Sequence, residues 1–182
     1  ARAQERLARS KFQIAELTAK NASSKRDYEN LLTLYREARQ ASEGVQDETV
    51  RAALQKEALV GEAKAAEQLG LTDTINQTAL MLAAASRNDP LGLMQAADVL
   101  FDQGQYGGAA GLYRQAIGLW NDETSERVGE WASGRGGEPS VSRFTFHVSR
   151  LWMRLGFCHF QLSQQNATQR DENLRQAVEA YE

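Results

Sequence analysis

The sequence is short of cysteine, proline and excess charge. Cys158 is the only cysteine in 182 residues, which excludes an internal disulfide framework and a cysteine-rich zinc site. Lys and Arg total 21 against 24 Asp and Glu, so the formal charge of −3 argues against a broad basic surface for nucleic acid. Only two prolines occur in a chain rich in Ala, Gln, Glu, Arg and Leu, which favours an all-α fold.

Long apolar runs are missing as well. The longest, residues 79–85, is far shorter than the ~20 residues of a membrane-spanning helix. A hydrophobic share of 42% with 25% charged residues is typical of a folded, soluble protein. The chain begins at Ala1 without a targeting segment and stops at Glu182 inside a predicted helix, so we expect it to be part of a longer protein. A cytoplasmic and a cell-envelope location both stay open.

The first 45 residues carry a heptad pattern. Its two lines of positions are Leu7, Ile14, Asn21, Tyr28, Tyr35 and Ser42, and Ser10, Leu17, Ser24, Leu31, Ala38 and Val45. The lines are apolar towards both ends and polar around Asn21 and Ser24, which predicts one helix of about 40 residues. Such a helix cannot bury its apolar stripe on itself, so it needs a partner helix.

A second helix is predicted from Asp47 to Leu69, where small and apolar residues recur three or four apart. Gly44 and Gly70 are suitable residues to end the two helices. The short connection favours an antiparallel hairpin over residues 1–70. Pairing within the chain and coiled-coil self-association between chains both stay open, and in the second case Asn21 would set the register.

Residues 71–182 are predicted to form a second helical domain. Thr72 or Asp73 can cap its first helix, which ends before the chain breaker at residues 88–90. Residues 121–139 are rich in glycine and charge, which predicts an inserted surface loop.

Two further features belong to this region. Trp131, inside the predicted loop, either packs against a helix or serves as an anchor for a partner. After Pro139, apolar residues recur at spacings of three and four from Val141 to Leu162, which predicts a long helix.

From Leu93 onward the residues resemble a tetratricopeptide repeat (TPR). The matching positions are Leu93, Ala96, Ala97 and Leu100 on a first helix, Gln103-Gly104-Gln105-Tyr106 in a turn, and Ala109, Tyr113, Ala116 and Ile117 on a second helix. A second copy opens at Trp152-x-x-Leu155-Gly156-x-x-His159, where His159 replaces the usual Tyr. Ala177, Val178 and Tyr181 match the start of its second helix, which the end of the chain is expected to truncate. A long insertion separates the copies, and extra residues near 163–171 lengthen the second turn.

The resemblance implies stacked antiparallel helix pairs whose first helices line a groove for another polypeptide. The groove positions that it implies are Leu91, Met94, Asp98, Phe101 and Asp102, and Arg150, Met153, Phe157, Phe160 and Gln161. Some family members carry a clamp for a peptide carboxylate at the positions of Met94 and Asp98, so no such clamp is expected here. An aromatic, Met-rich groove with an acidic edge suits an apolar or weakly basic segment of a protein. Alternatively, the chain's own helices or a further repeat cover these side chains.

Glycines mark the second helix of the first copy. They are Gly107, Gly108, Gly111 and Gly118. Each costs a helix roughly 1 kcal/mol relative to Ala, which predicts that another helix packs closely on this face. That helix would come from the N-terminal hairpin or from a second subunit.

The sequence holds no recognisable nucleotide, metal or nucleophile motif. Cys158 lies on an apolar stripe, which favours a core residue over a reactive thiol. His147 and His159 are twelve residues apart on one predicted helix, about 120° around its axis, so they cannot share a metal ion there. We therefore expect no enzymatic activity, catalytic residue, cofactor, metal or small-molecule substrate.

These patterns predict an all-α protein: a long helical hairpin followed by TPR-like antiparallel helix pairs, an α-solenoid. The expected function is that of a non-catalytic scaffold or adaptor that binds a segment of a protein partner in its groove within a larger assembly. The alternative is a structural subunit whose long helices build a homo-oligomer or filament.

Overall fold

The computed structural model describes the backbone of residues 2–132 and 141–181 and the side chains of residues 2–121 and 149–181. Over these residues the chain is helical, without a strand, so the predicted all-α fold is confirmed. The helices are α1 (Arg2–Ala19), α2 (Lys25–Ser42), α3 (Glu48–Gln68), α4 (Thr72–Ala85), α5 (Pro90–Asp102), α6 (Tyr106–Ala132), α7 (Val141–Gln165) and α8 (Arg170–Tyr181). They form two compact units, Ala1–Ser86 and Arg87–Glu182. Within each unit, neighbouring helices pack against each other in chain order, as in an α-solenoid.

The first helix is shorter than predicted. In place of one helix of about 40 residues, α1 ends at Ala19 and α2 begins at Lys25. The cause is a capping box, in which Asp27 donates its backbone N–H to the Ser24 hydroxyl at 3.2 Å and accepts the Ser24 N–H at 2.9 Å. The reciprocal bonds satisfy backbone groups that a new helix start leaves unpaired, so the chain reverses and α2 packs back on α1.

The reversal turns the second half of the heptad pattern into the core of the first unit. Leu31, Tyr35, Ala38 and Val45 are buried, and Tyr35 contacts Phe12 of α1 with ring centroids 6.1 Å apart. Because they are buried, these positions cannot form a coiled-coil seam with a second chain. The exposed large apolar residues of the pattern, Leu7, Ile14 and Leu17, all lie on α1.

The second predicted helix is confirmed as α3. Asp47 caps it by accepting the N–H of Val50 at 3.1 Å. Gly70 ends it at a φ of 67°, where Leu71 donates to the carbonyl of Ala66 at 2.9 Å, a Schellman arrangement. The predicted helix that follows is present as α4, which we expected in the second domain but which packs against α3 in the first unit.

The start of α4 differs from its predicted cap. Its N-cap is Leu71, which makes no side-chain capping bond, so capping by Thr72 or Asp73 is wrong. Residues 70 and 71 are already committed to the end of α3, and the short connection leaves the two polar side chains inside the first turn of α4.

The second unit begins with the predicted breaker. Asp89 accepts the N–H of Leu91 at 3.1 Å, and Pro90 occupies the first helical turn of α5, where its missing N–H costs nothing. The turn to α6 uses Gly104 at a φ of 70°, with Gln105 donating to the carbonyl of Leu100 at 2.9 Å. With so short a connection, α5 and α6 pack as an antiparallel pair.

The predicted loop at 121–139 is wrong over residues 121–132, because α6 continues to Ala132. The rest of that loop, residues 133–139, and the side chain of Trp131 lie outside the described residues. The helix predicted from Val141 is confirmed as α7, which extends to Gln165. The extra residues predicted to lengthen the next turn are largely helical, since a short 3-10 helix at Ala167–Gln169 leads directly into α8.

The core of the second unit contains most of the residues that carry the resemblance, although Trp152, Val178 and Tyr181 of the second copy are exposed. Small side chains alternate with large ones and are buried: Leu93, Ala96, Ala97, Leu100, Ala109, Tyr113, Ala116, Ile117, Leu155 and Ala177. The alanines let the helix axes approach, and each fully buried Leu stabilises the fold by about 1.5–3 kcal/mol. Gly156 serves the same purpose between α7 and α8, because a Cβ there would come within 2.9 Å of the Tyr181 ring.

Candidate interaction face on α5 and α7

The second unit brings side chains of α5 and α7 together on one face. α6 packs against both helices, and the side chains of α5 and α7 contact each other. We call the ten predicted groove positions on these helices the α5–α7 face. It has a polar part around Asp98 and an apolar part along α7.

The polar part is centred on the Asp98 carboxylate. Its Oδ2 accepts a hydrogen bond from Arg150 Nη2 at 2.9 Å, and its Oδ1 accepts from Arg154 Nη1 at 2.9 Å. Oδ1 also accepts from the hydroxyl of Tyr113 at 2.6 Å. Hydrogen bonds to a charged acceptor are roughly twice as strong as neutral ones, so this cluster joins α5, α6 and α7 firmly.

Tyr113 acts in this cluster as a hydrogen-bond donor. Burial raises the pKa of its hydroxyl, and the bond to Asp98 raises that pKa further. Burial alone would lower the pKa of Arg154, but the bond to Tyr113 and the nearby carboxylates outweigh it and raise that pKa. The Tyr113 phenol therefore stays protonated and the Arg154 guanidinium stays charged near neutral pH.

Aromatic rings continue the contact between the helices. The Phe101 centroid lies 5.4 Å from that of Phe157 and 5.7 Å from that of Tyr106. The Arg154 guanidinium lies 4.7 Å from the Phe101 centroid, which is a cation–π distance. Ring pairs of this kind contribute about 0.5–1.5 kcal/mol beyond their buried area, so the face is held in a defined arrangement.

The apolar part of the face is open. Met153, Phe157 and Phe160 are 56%, 37% and 43% exposed, and Leu91 of α5 is also exposed. Met94 differs, since only 5% of it is exposed and it packs in the core, where a partner cannot reach it.

The two remaining predicted positions contribute less. Gln161 is half-buried, and Asp102 lies 4.0 Å from Arg154 with its carboxylate largely exposed.

Arg154 and the Tyr113 hydroxyl were not among the predicted positions. Arg154 follows Arg150 by one helical turn, so the spacing places both guanidiniums on one side of α7. The spacing of the two arginines is visible in the sequence, but the TPR resemblance includes only Arg150 among its groove positions. The consequence is chemical: the acidic edge expected at Asp98 is neutralised by two arginines.

The glycine face of α6 is more open than predicted. A Cβ at Gly111 or Gly118 would have nothing within 4 Å among the described residues, and one at Gly107 would only reach Leu162 at 4.0 Å. Only Gly108 meets a close neighbour, Leu100 of its own helix pair, at 2.9 Å. Among these residues, then, no helix covers Gly111 and Gly118.

Cys158 and His159 are both buried in the second unit. Burial raises the pKa of the Cys158 thiol to about 12, which leaves it un-ionised near neutral pH. His159 Nε2 lies 2.6 Å from Arg114 Nη2, which makes it the acceptor, and burial and the Arg114 charge lower the pKa of the imidazole. Both features are those of core residues.

A small cavity of about 290 Å³ lies beside His159, lined also by Trp152, Gln176 and Glu179. Its lining contains no Ser, Thr, Cys or Lys side chain. Over the part of the chain that the structure describes, no three His, Cys, Asp or Glu side chains are grouped so as to hold a metal ion.

None of the described helices has the length and apolar character to cross a membrane. No family model matches the chain, and neither does any curated protein or solved structure.

Proposed function

We propose that residues 87–182 bind a segment of a partner protein along the α5–α7 face, as the first helices of TPR-like pairs would. The proposal is carried by the exposed apolar run Met153, Phe157 and Phe160 on α7. A folded protein rarely leaves several large apolar side chains together on one helical stripe unless another molecule covers them.

The spacing of this run suits a polypeptide laid along α7. The three side chains follow one another at intervals of four and three residues, which puts them on one side of the helix over about 10 Å. Leu91 of α5 adds a further exposed apolar side chain. A segment with large apolar residues at matching intervals would bury all four.

The polar cluster beneath the run supports binding in another way. Asp98 ties Arg150 and Arg154 to α5, so the two helices keep their arrangement before a partner arrives. A preorganised surface loses less conformational freedom on binding. Arg150 and Arg154 are balanced by Asp98 and by Asp102, which lies 4.0 Å from Arg154, so apolar contacts rather than charge would supply most of the affinity.

The experiment is selection from a random-peptide library, followed by anisotropy titrations of the selected peptides. The site variant is Met153→Ser with Phe160→Ser, which removes two exposed apolar side chains without opening the core. The matched control is Leu80→Ser with Val178→Ser, which removes two apolar side chains elsewhere that are at least as exposed. We expect the site variant to lose at least about tenfold in affinity and the control to lose none. Equal binding by both variants would contradict the proposal.

A homo-oligomeric structural subunit stays the second candidate, because part of the heptad pattern, Leu7, Ile14 and Leu17, is exposed on α1. The later apolar positions Leu31, Tyr35, Ala38 and Val45 are buried inside the first unit, so the exposed seam is short. Light scattering over a dilution series separates the two functions. A concentration-dependent oligomer that selects no peptide would favour the structural subunit.

A further inference from the structure

We infer that the outer face of α1 is a docking site for an amphipathic helix of another protein whose apolar stripe is bordered by acidic residues. The site lies in the first unit and does not depend on the function proposed for residues 87–182. It is built from the apolar stripe of Leu7, Ile14 and Leu17, which we call the α1 stripe.

The α1 stripe is exposed although it is strongly apolar. Leu7, Ile14 and Leu17 are 48%, 51% and 61% exposed, whereas Ala8 and Ala15 on the inner side of the helix are buried. At 3.6 residues per turn, the three exposed side chains lie within about 80° of one another around the axis. α1 therefore has two faces, one packed against its own unit and one with exposed apolar side chains.

The charged residues at the border positions of the α1 stripe are all basic, but Lys11 forms an ion pair with Glu37 of α2 at 2.6 Å. In the heptad frame of Leu7 and Ile14, one border consists of Arg6, Gln13 and Lys20, and the other consists of Gln4, Lys11 and Thr18. No border position is acidic. Border positions face the borders of a partner helix, so they select its charge.

The acidic residues of α1 point away from the stripe and have partners. Glu5 pairs with Arg9 at 2.9 Å, and Glu16 accepts the Tyr35 hydroxyl at 2.7 Å. Among the residues that the structure describes, Arg6 and Lys20 have no ion-pair partner. Arg6 and Lys20 are therefore two cationic side chains without an ion-pair partner next to the exposed apolar side chains.

This charge pattern argues against a second copy of the chain as the occupant. In an antiparallel pair, Arg6 of one copy would face Lys20 of the other, and neither has an ion-pair partner among the described residues. Like charges at these positions repel each other. A helix with Glu or Asp at its borders turns the same contacts into attractions.

The first experiment uses designed peptides of three heptads with Leu at the apolar positions and Glu at the border positions, against an otherwise identical peptide with Lys there. Binding to the full chain is measured by fluorescence anisotropy. We expect the Glu peptide to bind at least about tenfold more tightly at low salt, and the preference to shrink at high salt. Equal affinity for the two peptides, or no binding of either, would overturn the inference.

Two variants locate the contact. Ile14→Ser with Leu17→Ser should abolish binding of the Glu peptide, while Leu80→Ser, an exposed apolar residue of α4, should leave it unchanged. Arg6→Glu with Lys20→Glu should reverse the preference towards the Lys peptide. Loss of binding in all variants alike, or a wild-type dimer that Ile14→Ser with Leu17→Ser dissolves, would overturn the inference in favour of another site or of a second copy. Circular dichroism checks that each variant keeps its helical content.

Discussion

Gly61 of α3 lies directly beneath the aromatic ring of Tyr35 of α2, so close that a methyl group on Gly61 would overlap the ring. The ring is buried there, and its hydroxyl reaches across to Glu16 of α1 at 2.7 Å. Three helices of the first unit thus meet at one tyrosine. A residue without a side chain is needed at position 61 to let that tyrosine in.

This contact predicts opposite effects for two glycine-to-alanine changes. Gly61→Ala should lower the free energy of unfolding of the first unit by about 1–3 kcal/mol, because the ring or the backbone must shift. Gly111→Ala meets open space in the middle of α6 and should raise the stability of the second unit by about 0.5–1 kcal/mol.

Urea unfolding can follow the two units with different probes. All three Trp residues lie in residues 87–182, so Trp fluorescence reports the second unit, and circular dichroism reports both. A stabilising Gly61→Ala or a strongly destabilising Gly111→Ala would contradict the packing described for these positions.

Asp98→Ala should destabilise the second unit by about 1–3 kcal/mol, since it leaves the buried Tyr113 hydroxyl and two guanidiniums without their acceptor. Asp102→Ala is the matched control. The Asp102 carboxylate is exposed and 4.0 Å from Arg154, so this substitution should change the free energy of unfolding by no more than about 0.5 kcal/mol. Trp fluorescence in a urea titration measures both, and equal effects would show that the Asp98 cluster does not hold the helices together.

Cys158 should react slowly with a thiol reagent at neutral pH. The thiol is fully buried in the native protein and its pKa is raised to about 12, so the reactive thiolate is scarce and hidden. After unfolding in urea, the reaction should become fast, as for a free cysteine. Absorbance of the released chromophore follows the rate, and a native rate equal to the unfolded one would contradict the burial.

His159 should make the stability of the second unit depend on pH. Burial, followed by the charge of Arg114, lowers the pKa of the folded imidazole below the unfolded value of 6.5, while Asn173 and Glu172 oppose the shift. Between those two pKa values the unfolded chain binds more protons than the folded one. The free energy of unfolding therefore falls as pH drops below about 6.5 and levels off below the folded pKa.

The measurement is urea unfolding followed by Trp fluorescence at several pH values, for the wild type and for His159→Gln. The difference in stability between the two should shrink as pH falls from 7 to the folded pKa. A difference that stays constant over that range would show that the imidazole titrates alike in both states.

Short-range chemistry made several features predictable. Asp47 and Asp89 begin helices, and Gly70 and Gly104 end them, because capping bonds and a positive φ involve only residues a few positions apart. The core positions of the second unit were predictable for a similar reason. There the small and large residues at helical spacing match the TPR pattern, and most of the matching positions are buried.

Two of the errors concern where a helix ends. The heptad pattern runs through residues 20–24 without a break, and the capping box of Ser24 and Asp27, visible in the sequence, was outweighed by the continuing period. Likewise, glycine and charge at 121–132 are typical of a loop, yet α6 continues through them. In the first case a long-range period conflicts with a local capping signal, and in the second the composition of a segment does not determine its backbone.

The amino-acid sequence by itself determined the all-α fold, most helix ends and the small residues between paired helices, since these follow from backbone capping and periodicity along the chain. Only the tertiary structure decided that Tyr35 faces Gly61 and that Asp98 is compensated by Arg150 and Arg154. Those contacts join residues 26 to 56 positions apart in the chain. Which side chains are covered and which stay open for a partner depends on such distant pairs, and no local period encodes them.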